Sequence, residues 1–298
     1  MILKYIFRHT NPDFLNRDLE KLTPKDIMFR KAIYHSGFKF GLLLLSTITF
    51  IGVFVPFFVD MSPYDQDISK RLLPPVWSEG GSWKYIFGTD GNGRDYLARI
   101  IYGTRVSLTI GIGAATVGML IGVTLGVIAG YFGGIVDQVV SYILTCQLAL
   151  PGILFLLTII SIVGSSLTVV ILVIGVLHWT LFLVVTRAAT QRIRNLDYIT
   201  AANAIGASKT NIIFTDILPN VLNQIIVIFT LEVGVAILAE ATISFLGLGI
   251  QPPTPSWGVL IAEGKEAIFF QPWLIILPGM ALFLLVISIN MLGDGLRD

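Results

Sequence analysis

The sequence contains few charged residues. Asp, Glu, Lys and Arg make up 13% of its 298 residues, about half of the share that is usual for a soluble domain. The hydrophobic fraction is 54% and the mean hydropathy is +0.81. Polar residues are gathered into blocks, and the apolar runs between them are long enough to cross lipid, for which a helix needs about 20 residues. The composition therefore excludes a soluble domain and indicates an integral membrane protein.

Cysteine and clustered basic residues are also scarce. The single cysteine, Cys146, lies in an apolar run, so neither an intramolecular disulfide nor a cysteine metal cluster is expected. The net charge is +1, and no basic tract is interleaved with aromatic residues, so we expect no nucleic-acid binding. The first 40 residues carry eight basic and four acidic residues. They predict a cytoplasmic N-terminal segment rather than a cleavable signal peptide.

Six apolar runs predict six membrane-spanning helices, because backbone polar groups in lipid must be satisfied within the helix. The runs are Phe40–Val59, Val106–Ala129, Val139–Val163, Leu167–Thr186, Val221–Leu248 and Trp273–Leu292. In the second run, Gly118, Gly122 and Gly126 recur at the spacing that lets helix backbones approach closely,. This spacing predicts a packed bundle, with chance occurrence of glycine as the alternative.

The distribution of Lys and Arg between the segments that flank the spans predicts the orientation of the chain in the membrane. With the N-terminus inside, the inner segments hold 13 Lys and Arg residues and the outer segments hold seven. Six spans then place both termini in the cytoplasm. Two connections, the outer loop Asp60–Thr104 and the inner segment Arg187–Asn220, are too long for simple turns and are expected to be functional,.

The inner segment contains the pattern of two short helices joined by a turn. Asn195 or Asp197 can cap a helix that starts near Tyr198,. Gly206 then allows a turn, and Ser208 can cap a second short helix. The next span is predicted to begin at Pro219, because the missing N–H of a proline matters least at the start of a helix,.

Small side chains lie along one side of the first of these predicted helices. Ala201, Ala202, Ile205 and Ile212 fall on one narrow predicted face,. Such a face lets another protein approach the helix backbone, which suits a mechanical coupling element. A helix lying on the membrane surface is the alternative, and the residue pattern alone leaves both open.

The same segment resembles the cytoplasmic "EAA" loop of bacterial ABC importer permeases. The matching positions are Ala201, Ala202, Gly206, Leu218 and Pro219. Thr200 and Asp216 depart from the residues that are common in the motif. The resemblance implies that an ATPase subunit docks on a coupling loop that includes Tyr198, Ala201, Ala202, Gly206, Ala207, Ser208, Leu218 and Pro219.

Other segments resemble the dipeptide, oligopeptide and nickel branch of these permeases. Residues 87–111 resemble its GTD-x-x-GRD signature, with Ala98 in place of Ser, and residues 236–258 resemble its SFLGLG block. Val184 stands where the branch has an arginine, which leaves only Arg187 of the usual pair. The chain looks most like the second permease subunit, which implies an all-α, six-helix, type I ABC importer permease (MetI-like) fold.

The resemblance also implies an organisation along the chain. The expected parts are an N-terminal segment (1–39), a first helix (40–59), an outer loop (60–105), a five-helix core (106–293) that includes the coupling loop (187–220), and a cytoplasmic tail (294–298). The expected partners are a homologous second permease, two ABC ATPases, an extracytoplasmic solute-binding protein and the lipid of a bacterial inner membrane.

The expected cargo is a di- or oligopeptide, with glutathione, nickel or a metal chelate as alternatives. Residues 206–210 (GASKT) lack the second glycine of a phosphate loop,, so ATP-Mg is expected in the ATPase subunits and no cofactor on this chain. An ion-gradient-driven carrier is a different class that remains open. A membrane-embedded enzyme would need paired catalytic groups within the spans. The predicted spans hold only one His and two separated Glu residues, so no enzymatic activity is expected.

The outer loop contains the sequence DGNGRD, which matches a calcium loop only in part. A cation occupies a ligand position, and the acidic residue required at the twelfth position is absent,. We expect instead a glycine-rich turn in which Asp90 or Asp95 pairs with Arg94 or Arg99, bracing the face on which a binding protein docks. The candidate structural residues are Asp90, Gly93, Arg94 and Asp95.

Three ionisable residues lie within predicted spans. Carboxylates there are expensive and usually face protein or water, so Glu232, Glu240 and His178 are candidate pathway-lining residues. For Glu240 a structural bond to a neighbouring helix is favoured, and for His178 a packing role is the alternative.

Overall fold

A computed structural model describes residues 35–297 of the chain. Most of the predicted N-terminal segment therefore lies outside the described residues, as does residue 298 of the predicted tail. The helices are α1 (Ser36–Phe58), α2 (Tyr96–Phe132), α3 (Gly134–Leu148), α4 (Gly152–Val163), α5 (Leu167–Leu177), α6 (Trp179–Arg194), α7 (Asp197–Ala204), α8 (Lys209–Asn211), α9 (Leu218–Phe245), α10 (Trp257–Gly264) and α11 (Trp273–Arg297). A π-helical turn, Ile212–Ile217, joins α8 to α9.

Five continuous helical runs are long and apolar enough to cross a bilayer, and one bent pair supplies a sixth span. The continuous runs are α1, α2, α5 with α6, α8 through α9, and α11. The expected all-α membrane fold is confirmed. The third predicted span is not one straight helix, because α3 and α4 meet at an angle of 84°. Pro151 caps α4 at this break, and proline disfavours helical geometry in the residue before it.

Two predicted boundaries are corrected by the helix ends. The second span was expected from residue 106, but α2 begins at Tyr96 because Asp95 caps it, accepting backbone bonds from Leu97 (2.9 Å) and Ala98 (3.2 Å). The long loop therefore covers residues 59–95. The fifth span was expected from Val221, but its helical run already begins at Lys209.

The glycine stripe of α2 packs directly on the backbone of α6. A Cβ atom added at Gly122 would lie 2.3 Å from the carbonyl oxygen of Trp179, and one at Gly126 would lie 2.9 Å from that of Leu183. Gly118 meets the α5–α6 junction in the same way, at 3.1 Å. The predicted close packing is therefore confirmed, and it brings the middle of α2 against the junction between α5 and α6.

Gly122→Ala is expected to destabilise the chain by about 1–3 kcal/mol, because overpacking of a filled contact forces neighbouring backbone to shift. Thermal unfolding of the purified chain in detergent measures the effect. Gly279→Ala in α11 is the matched control, since a Cβ there meets nothing within 4 Å. A Gly122→Ala variant as stable as the control would show that the α2–α6 contact is looser than described.

Each of two prolines inside spans leaves one helix carbonyl without its usual backbone N–H donor. A side chain of α2 donates a hydrogen bond to each of these two carbonyls. Pro56 has no N–H for the Gly52 carbonyl, and the Nε of Arg105 donates to that oxygen at 2.8 Å. The carbonyl four residues before Pro278 accepts a bond from the hydroxyl of Tyr96 at 2.5 Å. These bonds attach α1 and α11 to α2, which makes α2 the central helix of the bundle.

Candidate functional site

The helix–turn–helix segment, residues 195–217, connects α6 to α9. Its first helix, α7, starts at Asp197 after Leu196, whose side chain makes no capping bond. The predicted capping by Asn195 or Asp197 is therefore wrong. Asp197 instead occupies the first turn, where a carboxylate stabilises the positive end of the helix dipole.

A left-handed turn at Gly206 ends α7. The residue has a φ of +84°, its N–H donates to the Asn203 carbonyl at 3.1 Å, and the Ala207 N–H donates to the Ala202 carbonyl at 3.0 Å. These two bonds are those of the Schellman motif, in which glycine avoids the strain of positive φ. A Cβ at Gly206 would meet nothing within 4 Å, so the backbone angle, not a lack of space, favours glycine at this position.

The exposed face of α7 differs from the predicted one. Ile205 is 85% exposed, whereas Ile212 is fully buried, so these two residues do not share a face. Tyr198 and Ala201 are exposed together with Ile205, at helical spacings of three and four residues that place them on one side. We call Tyr198, Ala201 and Ile205 the α7 face.

Buried isoleucines fasten this segment to the membrane helices. Ile199 of α7 packs in one apolar cluster with Ile212 and Ile217 of the π-helical turn and with Val221 of α9. Each of these four side chains is fully buried. Because burial of such a side chain contributes about 1.5–3 kcal/mol, this cluster holds α7 firmly against the base of α9.

The second half of the segment continues into α9 without a break. Ser208 caps α8 by accepting a bond from the Asn211 N–H at 3.2 Å, as predicted. The Leu218 N–H then bonds to the Ile213 carbonyl, five residues back, and not four. Pro219 was predicted to begin the span, but it lies inside this continuous helical run, directly after the wider turn.

At the other end of the bundle, four charged side chains form a cluster, of which three are buried and Glu263 is 28% exposed. Arg99 Nη1 lies 2.5 Å from Asp90 Oδ2 and 2.5 Å from Glu263 Oε2. Arg94 Nε lies 2.6 Å from the same Asp90 oxygen, and its Nη2 lies 3.1 Å from Glu263 Oε1. Asp90 therefore makes the predicted pairing, whereas Glu263 of α10 was not predicted. We call these four residues the loop cluster.

The remaining predicted residues of this turn have backbone roles. Asp95 makes the capping bonds of α2 and does not appear among the ion pairs of the described residues. Burial raises the pKa of the Asp95 carboxyl, and its two backbone N–H bonds act in the opposite direction. Gly93 has a φ of +74°, and a Cβ there would lie 1.9 Å from the Asp67 carbonyl oxygen, so only glycine fits this contact.

Two of the three ionisable residues in the spans come together. His178 lies at the junction of α5 and α6, and its Nδ1 is 2.7 Å from Glu232 Oε2 of α9. An ionised carboxylate can only accept, so we assign the hydrogen to Nδ1. A cavity of about 490 Å³ adjoins His178 and also contacts Gln147 and Thr180.

Glu240 occupies a different environment. It is fully buried, and its Oε1 accepts bonds of 2.7 Å from the hydroxyls of Ser244 and Ser256. Ser256 also caps α10 through the Val259 N–H. These contacts are those of a structural bond between α9 and α10, and the side chain reaches no cavity surface in this arrangement.

The family relationship follows from the sequence match together with this architecture. Residues 122–298, more than half of the chain, match the family described as binding-protein-dependent transport system inner membrane component. The chain belongs to this family. Its matched residues include the glycine stripe from Gly122 onwards, the helix–turn–helix segment and the His178–Glu232 pair.

Curated relatives of this permease match nearly its whole length and support the same family. The di/tripeptide transport system permease protein DppC of Pseudomonas aeruginosa (strain UCBPP-PA14) is 36% identical over 276 residues, covering 93% of this chain and 91% of the relative. The dipeptide transport system permease protein DppC of Haemophilus influenzae is 38% identical over 262 residues, covering 88% and 89%. The glutathione transport system permease protein GsiD of Pectobacterium atrosepticum is 37% identical over 285 residues, covering 95% and 92%.

A solved structure shares the fold of the permease. A chain of the MetNI methionine ABC transporter in an inward-facing conformation superposes with a TM-score of 0.51 and 18% identity. The match covers 66% of this permease and 94% of the other chain. The expected MetI-like fold is therefore confirmed, with additional chain outside the shared core.

Long-range partners are what sequence reasoning missed in this permease. Glu263 follows Arg94 by 169 residues and Glu232 follows His178 by 54, so no spacing rule links them. Arg187, which remains from the family's arginine pair, binds Asp137 of α3 with its Nη2 2.7 Å from Oδ2. A signal was available for Glu263, because this carboxylate, five residues after the block 236–258, had no other assigned role.

Proposed function

We propose that this permease is one of two transmembrane subunits of an ATP-driven importer of short peptides. The observation that carries the proposal is the α7 face, which is exposed at its surface and anchored at its base on α9. An exposed apolar residue such as Ile205 has no partner within the described chain, and a groove on an ATPase subunit would cover it. The segment would then transmit ATPase movement to the spans.

The small side chains of the segment suit this contact. Ala201 leaves the backbone of α7 open to a second protein, and Gly206 ends that helix in a left-handed turn. Closure of two ATPase subunits would push α7 against the cluster of Ile199, Ile212 and Ile217. Because α8, the π-helical turn and α9 form one helical run, the push would tilt α9 and change the access to the pathway.

We place the helix–turn–helix segment and both termini in the cytoplasm. The excess of Lys and Arg on this side supports the orientation,. The long loop and α10 then lie on the extracytoplasmic side, where the loop cluster would hold a surface for a solute-binding protein. ATP-Mg belongs to the ATPase subunits in this assembly, and a homologous second permease completes the pathway.

The proposed cargo follows from the relatives' names. The three relatives above are named for dipeptides, di- and tripeptides and glutathione, which are all short peptides. We therefore propose a short peptide as the imported solute. Nickel and metal chelates remain the alternative within the branch, and the membrane subunits are proposed to carry out no covalent chemistry.

Transport by the assembled complex in proteoliposomes tests the proposal. Uptake of a radiolabelled dipeptide is expected to require both ATP and the solute-binding protein, and to fall to background without either. An imposed proton gradient without ATP is expected to drive no uptake. Uptake that follows the proton gradient alone would contradict the proposal and favour an ion-driven carrier.

A further inference from the structure

A broken span and an irregular turn inside another span meet at the cavity beside His178. The break between α3 and α4 bends the chain by 84°, and His178 departs from helical geometry, with φ −94° and ψ 12°, within the continuous run of α5 and α6. Gln147, the penultimate residue of α3, lines the same cavity as His178. In many secondary transporters, the substrate site forms where discontinuous helices meet near the middle of the membrane.

The depth of the His178–Glu232 pair fits such a site. Glu232 lies 13 residues, about 20 Å, before the end of its helical run at Phe245, and that run begins at Lys209. His178 lies 11 residues after the start of its span at Leu167. Both residues are therefore near the middle of their spans, far from the interfaces where a charged group could reach bulk water.

His178 separates the Glu232 carboxylate from the cavity. The α9 residues that line the cavity begin at Ala239, seven residues and about 10 Å beyond Glu232. His178 does line the cavity, and its side chain is 18% exposed against 8% for Glu232. The imidazole therefore touches both the Glu232 carboxylate and the cavity.

The surroundings hold this arrangement in place. Gln147 Nε2 donates to the Leu177 carbonyl at 2.8 Å, and Trp179 Nε1 donates to Gln147 Oε1. These bonds occupy the backbone and side chains on both sides of His178. Among the described residues, the side-chain hydrogen bond of the imidazole is the one to Glu232.

We propose that this midplane site binds the α-ammonium group of a peptide in transit, with Glu232 as the acceptor and His178 as the displaceable cover. The inference rests on the proposed function. An ammonium group donates as an imidazole N–H does, so the exchange keeps the carboxylate hydrogen-bonded within the membrane, where an unpaired carboxylate is unfavourable. Every unmodified peptide carries this group whatever its side chains, so the site recognises peptides as a class.

Peptide binding to the assembled transporter in lipid nanodiscs, without the solute-binding protein, tests this site. Alanyl-alanine is expected to bind at least about tenfold more tightly than its N-acetylated form, because a hydrogen bond to a charged group is lost. Glu232→Gln is expected to remove this preference. His178→Ala is expected to raise the affinity for alanyl-alanine several-fold, because it uncovers the carboxylate.

The opposite signs of the two variants separate a binding role from a structural one. If the pair only held α6 and α9 together, both variants would weaken binding. Glu240→Gln is the matched control, a buried carboxylate of the same helix that is expected to keep the preference for the free amine. Equal affinities for the two peptides, or no binding of either at about 10 mM, would overturn the proposal.

Failure of the inference differs from failure of the proposed function. In the same nanodiscs, peptide-loaded solute-binding protein is expected to stimulate ATP hydrolysis by the wild-type complex. Stimulation without a preference for the free amine would overturn the midplane site and leave the importer in place. Absence of stimulation would contradict the importer itself.

Discussion

Arg99→Ala is expected to lower the free energy of unfolding by about 3–5 kcal/mol, because breaking a buried ion pair leaves its partners uncompensated. Arg99 is fully buried and touches both carboxylates of the loop cluster through one nitrogen. Without it, Asp90 and Glu263 face each other with only Arg94 between them. Of the ion pairs that join the loop cluster to α10, only the one between Arg94 and Glu263 would remain.

Arg71→Ala in the same loop is the control for Arg99→Ala. Arg71 is exposed, and its removal is expected to change stability by no more than about 0.5 kcal/mol. Thermal unfolding of both variants in one detergent gives the comparison. If Arg99→Ala unfolds at the temperature of Arg71→Ala, the loop cluster does not hold the long loop, and the proposed surface for a solute-binding protein loses its support.

The membrane fold was predictable because lipid restricts the choice of structure. An apolar run of sufficient length must be a helix there, so hydropathy alone located six spans. The glycine stripe was predictable for a related reason, since close helix approach requires small residues at that spacing. Local signals also predicted the turn at Gly206 and the cap at Ser208, because both depend on residues within one helical turn.

Features that depend on tertiary contact were not predictable in this way. The early start of α2 depends on Asp95 acting as a cap, whereas the sequence offered it equally as an ion-pair partner. The assignment of Ile212 to the α7 face failed because the left-handed turn at Gly206 ends α7, so Ile212 belongs to the next helical run. The pair of His178 and Glu232 joins two spans, and hydropathy carries no information about which spans are neighbours.

Gly206→Val is expected to reduce ATP-driven uptake at least about tenfold. The residue has a φ of +84°, and a left-handed backbone angle is unfavourable by about 1–2 kcal/mol for residues with a Cβ and most of all for β-branched ones. The turn would open, and the α7 face would leave the position set by Ile199. Because 1.4 kcal/mol corresponds to tenfold in an equilibrium, strain of this size is enough to weaken ATPase docking measurably.

Gly206→Asn is the matched variant, because asparagine tolerates left-handed angles and a Cβ there meets no neighbour within 4 Å. Comparison of the two variants separates the effect of distorting the turn from the effect of replacing glycine with any other residue. Both variants are expected to insert in the membrane and to unfold near the wild-type temperature, since the turn lies outside the spans.

The most direct test of coupling is therefore dipeptide uptake and ATPase co-purification, measured together for the two Gly206 variants. We expect Gly206→Asn to retain both near the wild-type level and Gly206→Val to lose both. If Gly206→Val kept its ATPase subunits and imported dipeptide at the wild-type rate, residues 195–217 would not be the element that connects ATP hydrolysis to the spans.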